Sequence, residues 1–81
     1  MPARRQILAA LPLVLGYSAV EAAAAIGVSA TKFRELVEHG IMPRPRLIGR
    51  RQIWDVDELR ACFKALPRDG ETGDDEIEFI V

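Results

Sequence analysis

The 81-residue sequence predicts a small, mainly α fold with a single β-hairpin, and three observations carry that expectation. The stretch Ser18–Gly40 has the signals of two short helices joined by a tight turn. Two prolines, Pro43 and Pro45, then hold the chain extended ahead of an apolar, arginine-bearing stretch from Leu47 to Trp54. A capped amphipathic helix follows from Asp55 and is stopped near Pro67.

Each element has a local cause. Ser18 is a good N-cap, and Glu21 stands three residues on, so the pair forms a capping box that satisfies two orphan backbone donors. Val20, Ala23, Ala24 and Val28 are expected on the inward line of this helix, and its run of four alanines keeps it thin. Gly27 supplies the left-handed geometry that ends it, and Ser29 caps the next helix at once. In that second helix Phe33, Leu36 and Val37 fall on one face, leaving Thr31, Arg34, Glu35 and Glu38 on the other. Lys32 lies in the first turn, where the helix dipole disfavours a cation by about 0.3–1 kcal/mol, so helix stability does not explain it.

The hairpin admits two registers. A two-residue Gly49-Arg50 turn sets Ile48 opposite Arg51, whereas a four-residue loop sets Ile48 opposite Ile53 and Leu47 opposite Trp54. The apolar match favours the longer loop, and either register carries Arg50 and Arg51 to the tip. Asp55 then caps the last helix, Glu58 is expected to complete a second capping box, and Trp54 to staple against Leu59. Val56, Leu59, Cys62, Phe63 and Leu66 mark its buried stripe.

Three segments result: an apolar N-terminal segment over residues 1–16, a body over 17–67, and an acidic tail over 68–81. In the first, Arg4-Arg5 followed by ILAALPLVL has the order of a signal peptide. Cleavage in the alanines at 22–25 would remove the first helix of the body, so a short helix from about Arg4 to Leu11 is expected instead, with Ile7, Leu8 and Leu11 packed on the body. Leu13, Val14, Leu15 and Tyr17 lead into the next helix. The apolar run is too short to span a bilayer. In the tail, Ile77, Phe79, Ile80 and Val81 form an apolar end after an acidic linker. Three readings stand open: cooperative self-association through a neighbouring copy, acids that cover the basic surface, or a frayed terminus.

Charge separates these segments more sharply than the formal net of −1 suggests. Residues 1–68 hold all 11 Lys and Arg but only 6 of the 12 Asp and Glu, a balance of +5; the other 6 acids lie in residues 69–81. Between residues 29 and 54, Lys32, Arg34, Arg44, Arg46, Arg50 and Arg51 face only Glu35 and Glu38, a local field suited to phosphate. One cysteine, Cys62, and one histidine, His39, cannot build a structural zinc site or a disulfide within the chain. No nucleophile stands with a base and an orienting group in a recognised pattern, so the expectation is a protein that is not an enzyme and needs no cofactor.

Taken in order, these elements resemble the small winged helix-turn-helix proteins of the excisionase and AlpA type, distantly similar to the DNA-binding domain of MerR regulators. The residues carrying the resemblance are Glu21-Ala22-Ala23, Ile26-Gly27-Val28-Ser29, Leu36-Val37 with Gly40 and Pro43, Ile48-Gly49-Arg50-Arg51 with Trp54, and Glu58-Leu59. It covers roughly Tyr17 to Leu66. It implies a recognition helix in the major groove contacting DNA through Ala30, Thr31, Lys32, Arg34 and Glu35, and a wing contacting backbone or minor groove through Arg46, Arg50 and Arg51. Ala30 stands where relatives often have a polar or basic residue, and Glu35 repels phosphate unless it accepts from a cytosine amino group.

The function so implied is that of an accessory factor, a recombination directionality factor, which binds and bends attachment-site DNA beside an integrase and catalyses nothing itself. A phage-type transcriptional regulator would use the same surface at a promoter. A protein-binding adaptor working through the apolar ends is the expectation from another class. Double-stranded DNA, with an integrase as a further partner, implies a cytoplasmic, nucleoid-associated protein.

Overall fold

Four helices and three short strands follow one another in the computed structural model, which describes residues 3–11 and 13–71. They are α1 (Arg4–Ala10), β1 (Gly16–Tyr17), α2 (Ala19–Ile26), α3 (Ala30–Glu38), β2 (Arg46–Ile48), β3 (Arg51–Asp55) and α4 (Val56–Lys64). The strands form one antiparallel sheet in the order β1-β3-β2. A mainly helical chain with a three-stranded antiparallel sheet is compatible with a winged-helix-like fold.

The helix-turn-helix forms as its caps dictate. Ser18 Oγ accepts from the Glu21 N–H at 3.3 Å while the Ser18 N–H donates to Glu21 Oε1 at 2.8 Å. Gly27 adopts φ +88°, the Val28 N–H reaches the Ala23 carbonyl at 2.9 Å and the Gly27 N–H the Ala24 carbonyl at 3.1 Å. The end of α3 repeats this closure around Gly40 at φ +75°, with Ile41 N–H to the Leu36 carbonyl at 2.9 Å and Gly40 N–H to that of Val37 at 3.1 Å. Paired bonds of this kind satisfy helix-end carbonyls and reverse the chain within two residues. Ser29 Oγ accepts from the Lys32 N–H at 3.1 Å, so only three residues separate α3 from α2.

The core is small: Ala22, Ala23, Phe33, Leu36, Met42, Trp54 and Leu59. Trp54 sits at its centre. Its ring meets Phe33 edge-on, centroids 5.1 Å apart at 72°, and its indole N–H donates to the Pro43 carbonyl at 2.8 Å. Strand β3 is thereby fixed both to α3 and to the proline link.

Several expectations change. Helix α2 turns Ala22 and Ala23 inward, with Ala19 and Ile26 packed beside them, while Val20 is 67% exposed and Ala24 is exposed. Alanine on every side leaves no apolar stripe to read, and the rotation is set by what fits against Phe33 and Trp54. Helix α1 buries no residue: Ile7 and Leu11 are exposed, Leu8 is half-buried, and the helix is tied to α2 by a two-bond pair from Arg4 to Glu21 at 2.7 and 3.0 Å. The lead-in also contains a strand, since Gly16 and Tyr17 pair with Asp55 and Trp54. Gly16 is required there: a Cβ at this position would collide with Cγ2 of Ile53.

The hairpin takes the shorter turn. Ile48 pairs with Arg51, Leu47 with Gln52 and Arg46 with Ile53. Gly49 has φ +59° and Arg50 has no positive φ, the pattern of a glycine-first two-residue turn whose twist matches its strands. The apolar pairing that favoured a longer loop confers little, because Ile48 lies on a sheet face that nothing else among the described residues covers; turn geometry decides instead. Ahead of α4, Asp55 Oδ1 accepts from the Glu58 N–H at 3.0 Å, but the Glu58 carboxylate turns to Arg46 rather than completing a capping box. Leu59 is buried beside Trp54 in the core, whereas Phe63 is 47% exposed. The helix ends at Lys64, before Pro67. The apolar end Ile77, Phe79, Ile80 and Val81 lies outside the described residues, as does Pro12.

Candidate nucleic-acid interface

The N-terminal half of α3 presents two kinds of position. Ala30 is half-buried and packs against the core, so it offers no functional group to a ligand. Thr31 and Arg34 are exposed on the outer face together with Glu38. Lys32 Nζ lies 3.0 Å from Glu35 Oε2, one helical turn away. That pairing offsets the acid's repulsion of a phosphate, and at this exposure it is worth only tenths of a kcal/mol, so an anionic ligand can displace it.

The arginines divide in the same way. Arg50 and Arg51 are exposed at the hairpin tip, and neither they nor Arg34 and Arg44 form an ion pair with another described residue. Arg46 differs, bridging Asp55 at 3.4 Å and Glu58 at 3.0 Å. It braces the hairpin base to the start of α4. The Asp55 carboxyl is held below its usual range, first by the Glu58 N–H that it caps and further by Arg46.

Arg44 belongs with the tip arginines, although in the sequence it contributes only to the local charge. It is exposed between the half-buried Pro43 and Pro45, and Pro43 is itself anchored by the Trp54 indole. Two prolines flanking an arginine, with a tryptophan eleven residues on, are the signal available in the sequence. The Trp54 bond itself has no local signature.

The consequence is a direct side-chain link between α3 and the hairpin. Phe33 is wholly buried on the inner side of α3, and Trp54 is three residues along β3 from Arg51, roughly 10 Å of strand. The Phe33–Trp54 contact therefore sets the spacing between the α3 surface and the hairpin tip. A surface of this composition suits a polyanion by positioning cations, with Thr31 and Arg34 as hydrogen-bonding groups at a helix face. Among the described residues no three His, Cys, Asp or Glu side chains gather into a metal-binding group, and no helix is long and apolar enough to cross a membrane. Comparison with protein-family models, with curated proteins and with solved structures gives no match.

Proposed function

We propose that this protein reads double-stranded DNA, laying α3 in the major groove and setting the Gly49-Arg50 tip against the adjacent backbone or minor groove. The observation that carries the reading is the Phe33–Trp54 lock. It holds a helix with exposed Thr31 and Arg34 and a hairpin tipped by exposed Arg50 and Arg51 as one body, inside a segment whose charge balance is +4. On this reading Arg44, Arg50 and Arg51 meet phosphates, Thr31 and Arg34 meet base edges or phosphates, and Lys32 exchanges Glu35 for a phosphate. Ala30 serves packing, and Arg46 serves the hairpin base.

The role we assign is that of an accessory factor of the excisionase kind, acting without catalysis beside an integrase on attachment-site DNA in the nucleoid. That assignment rests on the order of elements in the resemblance, and the DNA contact rests on the residues. Selection of bound fragments from a pool of random duplex DNA tests the reading. Enrichment of short repeated sites, with affinity falling steeply as salt rises, is expected. Sites beside an integrase attachment sequence support the accessory role, and sites confined to promoters replace it with transcriptional regulation. Absence of binding even at low salt overturns the DNA reading.

A further inference from the structure

The outer face of the sheet carries apolar side chains with nothing over them. Pairing of Ile48 with Arg51 and of Arg46 with Ile53 puts these four side chains on the face opposite Trp54. The chain leading into β1 runs along the same side. Leu13, Leu15, Ile48, Ile53 and Val56 border an open groove of about 820 Å³. Leu15, Ile48 and Leu13, at 74%, 69% and 68%, are the most exposed large apolar residues among those described, and all three line it. Such a concentration on a small domain marks an interaction surface.

We propose that the C-terminal segment Ile77–Val81 of the same chain occupies this groove. Three observations select that occupant. Its sequence, IEFIV, supplies the apolar side chains Ile77, Phe79, Ile80 and Val81, which no part of the DNA surface uses. Charge matches as well. The segment and its linker carry Asp74, Asp75, Glu76 and Glu78 and no base, while Arg51 and Arg46 share the groove's sheet face and Arg50 stands at its end. The groove's own acids are already engaged, Asp55 with Arg46 at 3.4 Å and Asp57 with Arg60 at 3.8 Å.

Reach is the third. The described chain ends at Glu71, whose side chain accepts from the Arg68 N–H at 2.6 Å just beyond the last turn of α4. The nine residues of α4 span roughly 13 Å, and its first residues, Val56 and Asp57, border the groove. The six steps from Glu71 to Ile77 extend to about 20 Å, enough to bring Ile77 to that end of the groove with Phe79 to Val81 lying along it. A tether this short gives an effective concentration of about millimolar, which favours the chain's own tail over that of a second copy at ordinary protein concentrations. Docking also brings Glu78 onto the sheet face that carries Arg46 and Arg51; the attenuation of DNA binding that this implies rests on the DNA reading, whereas occupation of the groove does not.

The test uses the full chain with methyl groups labelled, in the absence of DNA. Nuclear Overhauser contacts from the Phe79 ring to methyls of Leu13, Leu15 or Ile48 are expected, with ring-current shifts of those methyls that vanish in Phe79→Leu. Leu15→Glu, a change at an exposed position facing the acidic tail, is expected to abolish the contacts to Ile48 while leaving the Phe33 and Trp54 core signals unmoved. Contacts that appear only between differently labelled copies overturn the proposal in favour of a second chain's tail. Absence of any contact from Phe79 overturns it outright. Because DNA takes no part, these outcomes are independent of whether the DNA reading survives.

Discussion

Trp54→Phe is the substitution that most sharply tests how α3 and the hairpin are joined. Trp54 is the only tryptophan and is 3% exposed. Phenylalanine keeps a ring against Phe33 but removes the indole N–H that donates to the Pro43 carbonyl at 2.8 Å. Loss of that bond costs about 0.5–1.5 kcal/mol net. The missing part of the indole leaves a void in the buried core beside Phe33, and on a scale where full truncation of a buried aromatic costs about 3–5 kcal/mol this partial loss costs about 1–2. The sum is about 1.5–3.5 kcal/mol. For a domain this small each kcal/mol lowers Tm by about 4–8 °C, so the expected drop is on the order of 10–20 °C by far-ultraviolet circular dichroism. A double-mutant cycle of Phe33→Leu with Trp54→Leu, each of which removes one ring of the edge-on pair, should return a coupling of about 0.5–1.5 kcal/mol. A Tm drop below about 3 °C, or a coupling near zero, would refute the claim that this pair holds the two surfaces together.

Other consequences follow from single contacts. Gly16→Ala sets a methyl against Cγ2 of the β-branched Ile53, whose stiff χ1 cannot turn away, and a loss of about 1–3 kcal/mol in denaturant unfolding is expected. Combining it with Ile53→Ala should cost less than the sum of the two single changes. The Glu21 carboxyl is lowered to about 2, chiefly by the hydrogen bond from Arg4 and also by the Ser18 N–H. Because the folded value lies below the ordinary one of 4.5, the stabilisation is complete above that value and is lost as pH falls toward about 2. The Glu21 side chain is 23% exposed and Arg4 more so, and the contribution at neutral pH is about 1 kcal/mol or less. Titration of Glu21 followed by NMR should show its midpoint rise toward the ordinary value in Arg4→Ala, and an unmoved midpoint would contradict the assignment to Arg4.

What the sequence disclosed, and what it withheld, divides by the range of the interaction. Caps are local, so Ser18, Gly27, Ser29 and Asp55 could be read from neighbours within three residues, and the elements they bound lie where expected. Phe33 and Leu36 were legible because α3 has one strongly apolar face. Alanine-rich α2 carried no such contrast, and its rotation depends on partners far along the chain. The pairing of Gly16-Tyr17 with Trp54-Asp55 spans nearly forty residues and leaves no local mark except a glycine whose necessity appears only beside Ile53. The hairpin register went to the turn because the assumed reward, burial of Ile48 against Ile53, requires a cover that the described fold does not provide. Among the candidate contacts, Thr31, Arg34, Arg50 and Arg51 are exposed as a DNA surface requires. Ala30 and Arg46 are engaged within the fold by the core and by Asp55 and Glu58, partners that sequence spacing alone does not rank.

The most direct measurement of the central claim is the salt dependence of duplex DNA affinity for the wild-type protein and an Arg50→Ala/Arg51→Ala variant. Each phosphate contact contributes about 0.9 to the slope of log K against log salt, so losing two should lower its magnitude by about 1.8, with affinity reduced on all sequences alike. A wild-type slope near zero, or a slope the same in both proteins, would contradict the account that the hairpin tip lies on the DNA backbone.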